Sequence, residues 1–228
     1  MGDSIRLVCF DLGGVVVRIC RSWREGCAVA GIPFRDGDAF SAETLRSRRR
    51  LLNDSYQSGR ITCSRYFSEV AEATGGLYSP EEVSRIHLAW TLDDYPGIAD
   101  LIDRINRSGV CTTACLSNTN ASHWRTLTVG DPSAPPHPLA RRPSQAVSKL
   151  RHHFVSHRIG AIKPHEPAFR CVERALGLKP GEIIFFDDLP ENVDAARALG
   201  WHAHRIDHEQ DTAAQIAGHL RDAGIPLS

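Results

Sequence analysis

This 228-residue chain has few lysines, no long apolar run and no excess of positive or negative charge. Lysine occurs only at Lys149, Lys163 and Lys179, and 27 basic residues balance 27 acidic ones. A neutral chain lacks the basic surface that binding to nucleic acid or to an anionic membrane requires, so we expect neither partner. No apolar run approaches the roughly 18 residues of a membrane span. The first residues show no signal-peptide pattern, and we expect a cytoplasmic location.

Paired cysteine spacing is also missing. The seven cysteines are odd in number, and several lie inside apolar runs such as LVCF and CTTACL. Disulfide frameworks and zinc sites both need cysteines in pairs at regular spacings. We therefore expect free thiols that pack as small apolar side chains in a reducing compartment.

The sequence does contain an alternation of apolar runs and amphipathic segments. Five short runs rich in β-branched or aromatic residues predict strands. Between most of them lie helical patterns, several of which end at a glycine. Such alternation predicts an α/β fold in which helices cover both faces of a parallel sheet. The predicted strands begin at Ile5, Val110, His153, Glu182 and His202.

A large insert separates the first two predicted strands. Residues 19–92 are too many for a simple crossover, so we expect them to form their own subdomain. Their apolar spacing predicts helices throughout, with Ser79 and Glu82 forming a capping box at the start of one. The predicted core domain comprises residues 1–18 and 93–228.

Three further features have a predicted structure but no assigned role. The basic run from Arg46 to Arg50 is typical of a solvated helix face. The segment 130–145 is rich in Pro, Ser and Arg, and predicts an exposed or partly disordered loop. Four aromatic residues of the insert either face a ligand or fill a small helical core; they are Trp23, Tyr56, Tyr66 and Trp90.

Polar residues follow four of the predicted elements at the point where each ends. The carboxyl ends of parallel strands meet at one edge of a sheet, so we expect these side chains to lie together. Several carboxylates in one place suit Mg²⁺, and a hydroxyl, an amide and an ammonium group suit a phosphoryl group. An aspartate is already ionised at neutral pH and can act as a nucleophile. The residues are Asp11, Ser117, Asn118, Lys163, Asp187 and Asp188.

Four motifs in this order resemble those of the haloacid dehalogenase superfamily, in the branch with a helical cap after the first motif. They are FDLGGVVV, CLSNTN, IKPHEPAF and IIFFDDLPENVDAARALG. Their wording is most similar to bacterial sugar-phosphate phosphatases and to the phosphatase-like domain of soluble epoxide hydrolases. The resemblance implies a Rossmann-like core and a mobile cap. It also implies Mg²⁺-dependent hydrolysis of a small phosphorylated metabolite, for example a sugar phosphate, through an aspartyl-phosphate.

The resemblance also implies roles for individual residues. Asp11 matches the nucleophile, which is also a metal ligand, and Lys163 matches the lysine that neutralises charge. Ser117 matches the hydroxyl that binds the phosphoryl group, and Asn118 stands beside it as a second substrate-binding residue. The remaining matches concern the metal: Asp188 is a direct ligand, Asp187 acts through water or orients Lys163, and Gly13 offers its backbone carbonyl.

Gly13 departs from the superfamily pattern. Most of its phosphatases have there an aspartate that protonates the leaving group, a contribution of about 10²–10⁴-fold. A phosphatase could take this proton from His123 or from a cap residue. A metal-independent 2-haloacid dehalogenase would not need the acid, and a non-catalytic protein could merely bind a phosphorylated ligand. The intact pair Asp187 and Asp188 favours the phosphatase, because halide displacement at carbon has no use for Mg²⁺. The sequence leaves the substrate and the oligomeric state open.

Overall fold

The computed structural model describes residues 4–35, 43–129 and 143–227. A five-stranded parallel sheet with the order β5-β4-β1-β6-β7 forms its centre, and all five predicted strands are present in it. Two further strands pair antiparallel with each other. The strands are β1 (Leu7–Phe10), β2 (Val17–Ile19), β3 (Thr91–Asp94), β4 (Thr112–Ser117), β5 (His152–Val155), β6 (Ile183–Asp187) and β7 (His202–Arg205).

Helices cover both faces of this sheet, which confirms the α/β prediction and gives a Rossmann-like fold. They are α5 (Ile98–Ser108), α6 (Ala121–Val129), α7 (Gln145–Lys149), α8 (Ser156–Ile159), α9 (Glu166–Leu176), α10 (Pro190–Ala198) and α11 (Thr212–Asp222).

Side chains alternate along β1 between two hydrophobic layers. Val8 and Phe10 point into the layer that contains the apolar faces of α5 and α11. Leu7 and Cys9 point into the opposite layer, with the apolar faces of α9 and α10. A strand that is buried on both faces reads as one continuous apolar run, which is why LVCF predicts a central strand. The same burial fixes the position of the residue that follows it, Asp11.

Between β2 and β3, the described residues form four helices, which make up the helical insert. They pack around a hydrophobic cluster of their own, which includes Tyr56, Tyr66 and Ile86. Ser79 and Glu82 form the predicted capping box, with both reciprocal hydrogen bonds present. The helices are α1 (Trp23–Ala30), α2 (Glu43–Gln57), α3 (Cys63–Ala73) and α4 (Pro80–Leu88).

Strands β2 and β3 connect the helical insert to the core and have no counterpart in the sequence prediction. Val17 pairs with Asp94 and Ile19 pairs with Thr91. The segments that enter and leave the helical insert therefore form one two-stranded antiparallel ribbon. Both predicted domain boundaries, 18/19 and 92/93, fall inside this ribbon. These strands have three and four residues, too few to show the alternation that identifies a strand. In addition, half of β3, with the sequence TLDD, is acidic.

The structure also bears on the predictions for the cysteines, the 130–145 segment and membrane spans. All seven cysteines are free, and five are buried as small apolar side chains. Most of the predicted loop, residues 130–142, lies outside the described residues, whereas Ser144 caps the start of α7. Within the described ranges, every helix is too short or too polar to cross a membrane.

Candidate active site

The predicted site residues lie at the carboxyl edge of the three central strands. Asp11 immediately follows β1, Ser117 ends β4 and Asp187 ends β6. Because β1 pairs with both of the other strands, their ends are adjacent. Lys163 lies in the loop between α8 and α9, yet its side chain is buried at the same edge. The parallel topology thus brings together residues that are up to about 176 positions apart.

Three carboxylates form the centre of the site. One oxygen from each of Asp11, Asp187 and Asp188 lies within 4.8 Å of the others, and all three residues are buried. Lys163 Nζ lies 2.9 Å from Asp11 Oδ1 and 2.6 Å from Asp187 Oδ2. Burial alone would lower the pKa of Lys163, but the charges of Asp11 and Asp187 outweigh burial and raise it. The lysine is therefore a permanent cation that compensates only part of the negative charge.

Asp11 still lacks a full set of partners. The approach of Lys163 to Asp11 Oδ1 has the distance of an ion pair but not the alignment of a hydrogen bond, so this buried oxygen has no hydrogen-bond partner. Burial raises the pKa of Asp11; Lys163 opposes that rise, and the charges of Asp187 and Asp188 add to it. An unsatisfied carboxylate oxygen beside two other carboxylates suits a hard divalent cation, so the residues present fit Mg²⁺.

Asp187 is fully engaged by protein groups. Its Oδ2 accepts hydrogen bonds from Lys163 Nζ at 2.6 Å and from Asn192 Nδ2 at 3.0 Å. Its Oδ1 accepts from the Leu189 backbone N–H at 2.9 Å. This arrangement suits a carboxylate that orients the lysine, which is one of the two roles predicted for it. Asn192 itself was not among the predicted residues.

Asp188 forms an ion pair with Arg21, which lies between β2 and α1. Arg21 Nη1 lies 2.8 Å from Asp188 Oδ2, and His208 Nδ1 lies 3.9 Å from the same oxygen. Gly14 makes this approach possible: its φ is +85°, and a Cβ there would lie 2.4 Å from Asp188 Oδ2. The second glycine of FDLGG is therefore required by both its conformation and the space beside Asp188.

Asn118 contacts the lysine backbone. Its Nδ2 donates to the Lys163 carbonyl at 2.8 Å, and its Oδ1 accepts from the Lys163 N–H at 2.8 Å. The side-chain amide thus holds the lysine loop beside the end of β4. This contact gives Asn118 a positioning role, and its predicted contact with substrate stays a prediction.

A cavity of about 390 Å³ lies between this edge and the helical insert. Gly13, Ser117 and Asn118 line it from the core. The insert contributes aromatic and polar side chains. The four aromatic residues predicted either to face a ligand or to fill a helical core are divided between these two roles. Tyr56 packs in the cluster of the insert, and Tyr66 does so while also lining the cavity. The other two, Trp23 and Trp90, line the cavity as well.

The backbone at Gly13 does not require glycine, so its conformation does not explain why an acidic side chain is missing there. Its φ lies outside the left-handed region, and a Cβ there would lie 3.2 Å from Ile19 Cδ1. His123, the predicted alternative proton donor, has both ring nitrogens engaged. Its Nε2 lies 2.8 Å from the His87 carbonyl, and its Nδ1 lies 3.2 Å from Asn120 Nδ2. These bonds hold the ring in place and leave it poorly suited to proton transfer.

Comparisons with known proteins give a family match and similar proteins. The family model described as "Hydrolase: haloacid dehalogenase-like hydrolase" matches residues 5–200. Phosphatase MT3486 of Mycobacterium tuberculosis (strain CDC 1551 / Oshkosh) is 33% identical over 227 residues, which cover 98% of this chain and 97% of that protein. Acyl-CoA dehydrogenase family member 10 of Mus musculus is 25% identical over 99% of this chain, which spans only 20% of the length of that relative.

A solved structure has the same fold. It is a HAD family enzyme of Bacteroides thetaiotaomicron in complex with magnesium and inorganic phosphate. The TM-score is 0.67 at 20% identity, and the match covers 91% of this chain and 97% of the other.

Proposed function

This chain belongs to the haloacid dehalogenase-like hydrolases, and from that premise we propose that it is a Mg²⁺-dependent phosphate monoester hydrolase. Its substrate would be a small phosphorylated metabolite, with sugar phosphates among the candidates. The observation that carries the proposal is the buried trio of carboxylates with one lysine, in which Asp11 retains an unsatisfied oxygen. The similarity to a protein named phosphatase over nearly the whole chain supports it.

In the proposed reaction Asp11 attacks the phosphorus atom. A bond forms between its carboxylate oxygen and phosphorus, the ester P–O bond breaks, and the leaving group departs as an oxide anion that a solvent water protonates. Water then attacks phosphorus in the aspartyl-phosphate, which releases inorganic phosphate and restores Asp11. Lys163 neutralises charge as the two anions approach, and the Ser117 hydroxyl donates to a phosphoryl oxygen. Asn118 and Asp187 hold the lysine in position.

The metal site in this proposal uses Asp11, Asp188 and the backbone carbonyl of Gly13, while Asp187 orients Lys163 or acts through water. Mg²⁺ would supply positive charge that lets a carboxylate approach a phosphate dianion. Displacement of halide from carbon needs no such charge, and a protein that only binds phosphate needs no buried nucleophile. The carboxylate trio therefore favours the phosphatase over both alternatives.

Domain roles follow from the same proposal. We assign residues 1–18 and 93–228 to the catalytic core and residues 19–92 to a cap that covers the cavity. A volume of about 390 Å³ falls within the usual range for small-molecule sites and supports a small substrate.

The absence of an acid at Gly13 sets an expectation for leaving groups. An aryl oxide is a weak base and departs without protonation, whereas an alkoxide needs a proton. Aryl phosphates should therefore be hydrolysed faster than alkyl phosphates by this chain.

The first experiment measures hydrolysis of 4-nitrophenyl phosphate by the purified protein, with Mg²⁺ and after treatment with a chelator. Asp11→Asn should lower the rate by roughly 10³-fold or more, because the nucleophile is lost while shape is kept. Asp194→Asn, an exposed position on α10, is the matched control and should leave the rate unchanged. Turnover that survives both the chelator and Asp11→Asn would refute the proposal. Metal-free consumption of 2-chloropropionate would indicate the dehalogenase instead.

A further inference from the structure

One helix of the cap turns a polar face toward the cavity. Arg49, Asn53 and Gln57 lie at successive turns of α2 and line the cavity, together with Arg50. A helix on the surface of a domain normally directs such residues to solvent and its apolar residues inward. These side chains line the cavity, so a ligand that enters it can use them as hydrogen-bond donors.

The remaining contacts of α2 lie on the other sides of the helix. Leu52 and Tyr56 pack into the hydrophobic cluster of the insert, and Arg48 pairs with Glu72 at 3.0 Å outside the cavity. Arg50 forms no ion pair within the described part of the chain. Among the described side chains of the basic run, Arg48 thus faces solvent as predicted, and Arg49 and Arg50 border the cavity.

Much of the remaining wall is apolar, including Val17, Trp23 and Trp90. One buried polar atom in it points independently to a ligand. His87 lines the cavity and is only 8% exposed, yet its Nε2 has no hydrogen-bond partner among the described residues. A buried nitrogen without a partner is unfavourable in the free protein and is satisfied when a bound molecule supplies one.

We infer that the substrate is a phosphate monoester with a largely apolar body and a second anionic group, a carboxylate or a second phosphate, which Arg49 and Arg50 bind. This inference rests on the proposed function. The phosphoryl group meets Asp11, the body contacts the tryptophans, and the second anion meets the guanidinium groups. Arginine suits this role because its planar donors pair with two oxygens of a carboxylate or phosphate.

The test compares aryl phosphates that differ only in the charge of a ring substituent. We would measure kcat/KM with Mg²⁺ for the carboxyphenyl phosphates, the neutral carbamoylphenyl phosphates and the phenylene bisphosphates, in the 3- and 4-substituted series. The anionic esters should be preferred about tenfold over the carbamoyl ester at low ionic strength, and added salt should weaken the preference. Comparison of kcat/KM for the carboxyphenyl phosphates and the phenylene bisphosphates shows which anion the arginines bind better.

Variants assign that preference to the cavity arginines. Arg50→Gln and Arg49→Gln should each reduce the preference for anionic esters toward equality. Arg48→Gln is the matched control on the same helix and should retain the preference. Equal kcat/KM for charged and neutral esters in both series, or a preference that survives both cavity variants, would overturn the inference while leaving a phosphatase.

Binding distinguishes this outcome from failure of the proposed function. If no ester is hydrolysed, the phosphatase proposal fails, and calorimetry with carboxybenzylphosphonate and carbamoylbenzylphosphonate still tests the cavity. Tighter binding of the carboxylate that Arg50→Gln removes would support the inference, and equal binding would overturn it.

Discussion

At the scale of single residues, the charge balance of the site depends on Lys163. Its ammonium group lies within 3 Å of two carboxylates in a region that is almost entirely buried. Removing one partner of a buried ion pair leaves an uncompensated charge, which destabilises proteins by about 3–5 kcal/mol. The lysine is therefore as much a structural residue as a chemical one.

Lys163→Met should lower the free energy of unfolding by about 3 kcal/mol in the absence of divalent cations, measured by urea denaturation. Mg²⁺ should restore part of the loss, because it neutralises the same carboxylates. Lys179→Met removes an exposed lysine and should change stability by less than about 0.5 kcal/mol. Equal stability of wild type and Lys163→Met without metal would contradict the buried ion pair.

The sequence identified residues at the strand ends better than it identified their partners. Asp11, Ser117 and Asp187 could be predicted because each ends an apolar run, and parallel topology places such ends together. Arg21 could not, because its ion pair with Asp188 depends on the path of the chain after β2. The contact between Asn118 and the lysine backbone likewise depends on a loop conformation that no periodic pattern encodes.

At the scale of secondary-structure elements, the helical insert contacts the core where α2 ends. Ser156 Oγ lies 2.6 Å from the Gln57 carbonyl oxygen and 2.8 Å from the Thr119 carbonyl oxygen, and its one proton is donated to either of them. Two residues later, Gly59 has a φ of +72°, and a Cβ there would lie only 2.5 Å from the His157 carbonyl oxygen. The end of α2 and the start of α8 therefore meet closely at this point.

Gly59→Ala should destabilise the protein by about 2–4 kcal/mol, because it adds a clash to the strain of a left-handed alanine. Gly31→Ala is the matched control: its φ is +65°, but a Cβ there meets nothing within 4 Å. The control should lose only about 1 kcal/mol. Urea unfolding of both variants measures the difference, and similar losses would show that α8 yields to the added methyl group.

Element prediction succeeded where patterns were long. The helix α5 buries Ile98, Leu101, Ile102 and Ile105, the face that its spacing predicts. The ribbon of β2 and β3 escaped detection because its identity lies in the pairing of two short segments that are far apart in sequence. Pairing of this kind depends on tertiary structure, so it cannot be predicted from a short stretch of sequence.

At the scale of the whole molecule, stability at mildly acidic pH depends on a histidine cluster beside the sheet. His204 stacks on His219 with ring centroids 4.1 Å apart. Burial lowers the pKa of His204 to about 4; electrostatic interactions with His219, Arg197 and His202 add to that effect, while Asp222 opposes it.

A lowered pKa in the folded protein means that the unfolded chain binds the proton first. Between about pH 6.5 and pH 4 the unfolded state therefore gains protons that folded His204 does not, and stability falls as the pH decreases. His204→Phe removes this group while keeping a stacking ring. The thermal midpoint of the variant should fall less than that of wild type between about pH 7 and pH 5. Parallel pH profiles would refute a neutral His204 in the folded state.

The position of β1 at the centre of the sheet has a consequence for synthesis on the ribosome. Its neighbours β4 and β6 begin about 105 and about 176 residues later in the chain. At about 5–20 residues per second, β6 emerges roughly 10–35 s after β1. The first strand to be translated must therefore remain without both neighbours while the whole helical insert is synthesised.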